Sequence, residues 1–354
     1  PSGLSFKQLE DIKPILEDSL GAVIQLDHGN FSKFVNIDII TSKLSLDFKP
    51  IECSVDNLFL GYKPNGKPFL MDVNINPHLL FCGTTGTGKT TAMFITLTNL
   101  LANKEKKFEL WIGQVINRET SLFKECKNVK MVANTLEEVS IMLERICNIA
   151  DRRAEKYEKA NCRNINQYNK YNSKKDNRVY VVLEEFSFFK EFESDRKEVK
   201  ELKLKCEECV LRIVKAGRAC GIHLVSALQR CTSTNIDTTI RSQLSVLSFR
   251  LKGANDSKIA VGTEDAVTLG LRECVFDGQD CYEFLIAPKI DEDFQILKQY
   301  VPEIKLPTDL IKNEENNSIN TKKERENVTV LPPSTIYVKK GGVILQDNLE
   351  VLPD

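Results

Sequence analysis

Gly83-Thr84-Thr85-Gly86-Thr87-Gly88-Lys89-Thr90 fits the pattern G-x-x-x-x-G-K-[ST]. It lies between an apolar strand, Leu79-Leu80-Phe81, and a helical pattern over Thr90 to Leu101, which is where a phosphate-binding loop needs to be. Glycines let such a loop curl until several backbone N–H groups face phosphate oxygens, and the following helix N-terminus adds partial positive charge. The spacing predicts an ATP site made by Gly83, Thr84, Thr85, Gly86, Thr87, Gly88, Lys89, Thr90 and Thr91. Lys89 is expected to reach the β- and γ-phosphates, and Thr90 to hold Mg²⁺.

A second apolar strand, Val179-Tyr180-Val181-Val182-Leu183, ends in Glu184-Glu185. Carboxylates at the C-terminal end of a parallel strand point toward the ligand crevice. Glu184 is therefore expected to organise Mg²⁺, directly or through water, and Glu185 to orient and activate an attacking water. A third strand, Ile222 to Leu228, ends in Gln229-Arg230; an amide there can hydrogen-bond the γ-phosphate or its water.

These strand ends need a sheet to hold them together. From about residue 76 strands and helices alternate: Leu79 to Phe81, Thr90 to Leu101, Phe108 to Val115, Thr135 to Tyr157, Val179 to Leu183, a helix ending near Gly217, and Ile222 to Leu228. The alternation predicts an α/β fold with a mainly parallel sheet covered on both faces, to which Val246 to Leu251 and Tyr282 to Ala287 add strands. Residues 1–75 read as a small α+β segment: a helix from about 4 to 20, then short alternating stretches broken by Gly29-Asn30 and by Pro64-Asn65-Gly66. Residues 76–305 form the expected nucleotide-binding domain. Residues 306–354 read as linker and tail, with Asn313 to Asn327 poor enough in apolar residues to be partly disordered.

Composition sets outer limits. With 354 residues, 28% charged and 42% hydrophobic, the chain can bury a large core and has no bias toward global disorder. A formal net charge of −1 means that contact with nucleic acid must come from local basic faces. Eleven cysteines without a framework spacing read as free thiols of a cytoplasmic protein, and Cys206 and Cys209 lack the second half of a zinc site. No apolar run reaches about 18 residues. The chain starts Pro1-Ser2-Gly3 without an initiator Met, as expected where a natural N-terminus has been removed.

Over roughly residues 60 to 290 these pieces resemble the FtsK/SpoIIIE branch of the FtsK–HerA motor ATPases. Pro77-His78-Leu79-Leu80 before the phosphate loop, Arg163-Asn164-Ile165 with Tyr168-Asn169, and Gly217-Arg218-Ala219-Cys220-Gly221-Ile222-His223-Leu224 followed by Ala227-Leu228-Gln229-Arg230 carry the likeness. The resemblance implies a RecA-like fold, a homo-hexamer with ATP at subunit interfaces, and movement of DNA through the ring. Some positions depart from the pattern. Glu184 stands where the family usually has Asp, Asp-Pro-Lys is missing near Val115 to Glu119, and Lys258 replaces an Arg after Asp256-Ser257. For an arginine acting across a subunit interface the resemblance leaves Arg250, Arg241 and Arg218, in that order. Within the branch the chain is most similar to TcpA-like conjugative coupling proteins of Gram-positive mobile elements, which implies a membrane anchor ahead of it in the full-length protein and a relaxase and membrane channel proteins as partners.

From Arg145 to Arg178 there are ten Lys/Arg against four Asp/Glu, interspersed with Tyr157, Tyr168 and Tyr171; this reads equally as a DNA-contacting face or a solvated one. Lys197, Lys200 and Lys203 are further candidate DNA contacts implied by the resemblance. Two other readings fit the same residues: a protein-secretion motor of the type VII kind, and a nucleotide-binding scaffold without turnover.

Overall fold

The computed structural model describes residues 5–27, 35–41 and 46–306 except 106, 117, 233 and 234, together with 309, 338–339 and 342–343. Contacts divide the chain into a unit of residues 1–306 and a second unit of residues 307–354. Most of the linker and tail expected over 306–354 lies outside the described residues, as does His28. In the second unit Val338–Lys339 pairs antiparallel with Gly342–Val343.

The first unit opens with α1 (Phe6–Leu20), started by a Ser5/Gln8 capping box, and a two-stranded antiparallel sheet of β1 (Val23–Asp27) and β2 (Asn36–Ile40). The remaining strands are β3 (Asn57–Tyr62), β4 (Pro68–Asp72), β5 (Leu79–Cys82), β6 (Phe108–Gly113), β7 (Val129–Ala133), β8 (Arg178–Leu183), β9 (Ile222–Leu228), β10 (Ser245–Phe249), β11 (Glu273–Asp277) and β12 (Tyr282–Ile286). They join one ten-stranded sheet in the order β4-β3-β12-β11-β10-β5-β9-β8-β6-β7. From β10 to β7 every pairing is parallel, whereas β11, β12, β3 and β4 extend the sheet antiparallel. Strands β3 and β4, placed by sequence in the N-terminal segment, are thus part of the large sheet. The connection is long-range, Tyr62 against Ile286, and no local pattern announces it.

The parallel strands read as unbroken apolar runs because both faces are covered. All six residues of β8 and all seven of β9 are buried. On one face α2 (Lys89–Ala102) and α8 (Gln295–Tyr300) close a core with Phe59, Phe81, Phe94 and Phe108. On the other, α3 (Leu136–Lys159) and α5 (Lys197–Cys220) pack over Val181, Leu183 and Leu224. The short helices α4 (Ile165–Tyr171), α6 (Thr238–Arg241) and α7 (Ala254–Val261) fill connections. Among the described residues no helix is long and apolar enough to cross a membrane.

A buried polar cluster ties the strands together at the end away from the phosphate loop. Arg178 donates to Asp56, Asn74 and Asn166 and lies 3.3 Å from His223 Nε2, whose other nitrogen is 2.9 Å from the Pro77 carbonyl. The Leu224 amide donates to His78 Nδ1 at 3.0 Å. His78 and His223 both belong to this cluster.

Candidate nucleotide site

Strand β5 ends at Cys82 and α2 starts at Lys89, so the phosphate loop is the bare turn between them. Its first residue has φ of +151°, and a Cβ there would lie 2.7 Å from Phe249 Cβ; only glycine fits. The loop is anchored on both sides, by Gly83 N to the Leu228 carbonyl at 3.3 Å and Thr84 N to the Arg250 carbonyl at 3.1 Å. Thr87 Oγ1 closes it internally on the Thr84 carbonyl at 2.7 Å.

Parallel register brings the other strand ends alongside: β9 pairs with β5, and β8 with β9. A pocket of about 390 Å³ results, lined by the loop residues Thr84, Thr85, Gly86, Gly88, Lys89, Thr90 and Thr91 and by Glu119, Glu184, Glu185 and Gln229. Of the site residues expected from sequence, those loop positions, both carboxylates and Gln229 therefore share one cavity. Gly83 and the buried Thr87 shape the loop from behind. Burial pushes the Lys89 ammonium below its ordinary value, against the opposing pull of Glu185, Cys82 and Glu119.

Glu184 is only 8% exposed. Its Oε1 accepts from the Thr120 amide at 2.5 Å and lies 2.7 Å from the Thr120 hydroxyl, while the buried Oε2 has no hydrogen-bond partner among the described residues. Burial raises the carboxyl above the usual range, and the Thr120 hydrogen bonds pull it back. An unpartnered buried oxygen calls for an explanation. With the Thr90 hydroxyl in the same pocket, the donor set fits hydrated Mg²⁺, a hard cation that keeps most of its waters. Glu185 is less buried and accepts from Ser187 Oγ at 2.7 Å.

Glu119 and Thr120 were missed in the sequence. They begin a 3₁₀ turn, Glu119–Phe123, after β6. That strand lies beside β8, so the turn falls next to the carboxylate pair.

The arginines part company. Arg250 lines a second cavity, of about 960 Å³, that shares Thr84, Thr85 and Gln229 with the first and also holds Arg230, Lys252 and Asp256. Arg230 pairs with Asp256 at 3.1 Å. Arg241 donates through its terminal nitrogens to the carbonyls of Leu244 and Ala260 and faces Asp277 at 4.0 Å. Arg218 is exposed near the end of α5.

Part of the basic stretch is structural. Arg153 is buried on the carbonyls of Cys220 and Asn177, Arg178 on Asp56, and Lys156 pairs with Asp176 at 2.8 Å. Tyr157 and Tyr168 stack on each other inside. These groups hold the scaffold, while Arg145, Arg152, Lys159, Arg163, Lys170, Lys174 and Lys175 are exposed. Lys203, at 2% exposure, is not a DNA contact either, whereas Lys197 is exposed and Lys200 donates to the Glu193 carbonyl.

Residues 49–190 match the FtsK/SpoIIIE family. The DNA translocase FtsK of Staphylococcus aureus is 26% identical over 237 residues, 66% of this chain and 30% of that protein. Its Helicobacter pylori counterpart is 27% identical over 219 residues, 60% of this chain and 25% of the relative. This chain thus spans less than a third of the length of these relatives. Among solved structures, the pCW3 conjugation coupling protein TcpA, in monomer form with ATPγS, superposes with a TM-score of 0.68 at 19% identity, over 85% of this chain and 87% of that one. EssC (ATPases 2 and 3) from Geobacillus thermodenitrificans gives 0.61 at 13% identity over 74% and 50%. The match to the FtsK/SpoIIIE family thus spans the phosphate loop and the carboxylates beside it, and the fold around them is similar to that of these solved ATPases.

Proposed function

We propose that this chain is a motor domain that hydrolyses MgATP and uses the energy to move DNA, serving as a coupling motor in conjugative transfer. The observation that carries the hydrolytic part is the convergence of Lys89, Thr90, Glu184, Glu185 and Gln229 on one pocket. Likeness to FtsK relatives supports DNA as cargo, and the TcpA-like fold over most of the chain supports the conjugative setting.

The chemistry follows from the placement of the groups. Loop amides and the α2 N-terminus hold the phosphates, and Lys89 offsets charge on the β- and γ-oxygens. Bound Mg²⁺ would neutralise further phosphate charge, held by Thr90 and through the free oxygen of Glu184. Glu185 takes a proton from water as the water oxygen attacks the γ-phosphorus; the bond to the β–γ bridging oxygen breaks, leaving ADP and phosphate. Gln229 hydrogen-bonds the γ-phosphate or the attacking water. Further copies form a homo-hexameric ring around DNA, with the relaxase and channel proteins as partners and a membrane anchor ahead of the domain.

ATP turnover measured at low salt with and without single- and double-stranded DNA tests this reading, with Lys89→Ala and Glu185→Gln as controls. Turnover stimulated by DNA and lost in both variants is expected. Turnover indifferent to DNA favours a protein-secretion motor, the reading kept open by the EssC-like fold. ATP binding with no turnover, even at concentrations where sedimentation shows rings, favours a nucleotide-binding scaffold.

A further inference from the structure

Lys203 lies on α5, away from the phosphate pocket, yet only 2% of it is exposed. Burying an ammonium is costly unless it is fully partnered. Here Nζ lies 2.9 Å from Asp195 Oδ2 and 3.1 Å from the Lys190 carbonyl oxygen, with the Phe188 and Phe192 rings 4.9 and 4.5 Å away. Asp195 also accepts the Phe192 amide at 2.8 Å. Residues 188–195 are therefore wound around one cation. One helical turn on, Glu207 accepts from Lys190 Nζ at 2.5 Å. Helix and loop exchange charges: a helix cation meets a loop anion, and a loop cation meets a helix anion.

The segment held this way directly follows Glu185. Strand β8 stops at Leu183, so the ladder does not fix the Glu185 side chain. Its hydrogen-bond donor, Ser187 Oγ, belongs to the 3₁₀ turn Phe186–Phe189, which runs straight into the clasped residues. A well-packed apolar side chain at Lys203 would often stabilise the fold as well as a buried ion pair does. What the charge adds is a fixed geometry for the loop.

We propose that Lys203 is a positioning residue for Glu185: through Asp195, the Lys190 carbonyl and the flanking phenylalanines it holds the segment carrying Ser187, and so keeps the Glu185 carboxylate in the phosphate pocket. The inference rests on the hydrolytic reading above. The region matched to the FtsK/SpoIIIE family ends at residue 190, short of Lys203.

The test uses the chain as it stands, with Lys203→Met to remove the charge while keeping the stem. Turnover should fall roughly ten- to a hundredfold, as expected for a misplaced catalytic group, with the Kd of a fluorescent ATP analogue within about twofold of the parent. Amide hydrogen exchange should rise across residues 184–190 and stay unchanged over α2. Lys190→Glu should also lose turnover, and the swapped pair Lys190→Glu with Glu207→Lys should regain it, which decides the matter even if Lys203→Met does not fold. A folded Lys203→Met with parental turnover, or equal losses in turnover and nucleotide affinity, would overturn the proposal. If the parent binds ATP without turning it over, the hydrolytic reading fails separately; unchanged exchange across 184–190 in Lys203→Met would then sink the positioning role as well.

Discussion

Thr120 grips Glu184 twice: its amide donates to Oε1 at 2.5 Å, and its hydroxyl lies 2.7 Å from the same oxygen. The hydroxyl is also 2.8 Å from Gln114 Oε1, and the Gln114 amide group is oriented by Ser121 Oγ at 2.6 Å and Asn134 Oδ1 at 2.9 Å. A hydroxyl has one proton, so it serves one of these acceptors at a time. Glu184 and the loop after β6 are thereby linked in one polar chain.

Thr120→Val keeps the shape and removes that hydroxyl. A buried acceptor that loses a donor costs about 1–3 kcal/mol, which urea unfolding should register as a lower midpoint with an unchanged slope. If Glu184 organises the metal, the variant should also need more Mg²⁺ for half-maximal turnover. An unchanged Mg²⁺ dependence would leave Thr120 a purely structural role.

Acid should unfold this protein early, because burial pushes the His78 pKa from 6.5 down to about 4 and lowers His223 as well. The unfolded chain takes up these protons first. Stability from the neutral rings is complete above about pH 6.5 and is lost as pH falls toward 4, by about 3 kcal/mol for His78. Denaturant midpoints measured between pH 7.5 and 4.5 should fall on acidification. His78→Asn should start lower and show a shallower fall; an identical pH slope would exclude His78 as a source.

Some of this was legible from residue order and some was not. The phosphate loop, the carboxylate pair and Gln229 each sit at the end of an apolar strand, and parallel strands deliver their C-terminal ends to one edge, so local pattern plus fold class is enough to unite them. Glu119 and Thr120 follow no period; they reach the site because β6 lies next to β8, a neighbour relation that no spacing records. Lys203 reads as one more lysine on a charged helix, and only packing against Phe188 and Phe192 reveals it as interior.

The Gly217-to-Leu224 string has a steric reason. A Cβ on Gly217 would lie 2.6 Å from the Ile222 carbonyl oxygen, because α5 turns back onto its own following strand. Gly217→Ala must push α5 away from β9, which carries Gln229 at its far end. Overpacking of this kind costs about 1–3 kcal/mol, readable by thermal or urea unfolding. Parental stability in the variant would show that the helix end yields freely.

Under the proposed ring assembly, Arg250 decides whether the ring is needed for chemistry or only for movement. Its carbonyl accepts both the amide and the hydroxyl of Thr84, at 3.1 and 3.0 Å, and its cavity is shared with Thr84, Thr85 and Gln229 of the same chain. These contacts favour service to its own nucleotide over the interface role that the family likeness suggests. Arg250→Ala should lower turnover, and mixing it with Lys89→Ala separates the alternatives. In a mixed ring an intact Arg250 on a Lys89→Ala copy can assist a neighbour's intact phosphate loop only if it acts across the interface. Turnover that stays at the level of the separate variants at every mixing ratio is the expected outcome. Recovery that peaks near equal proportions would place Arg250 in the neighbouring subunit's site.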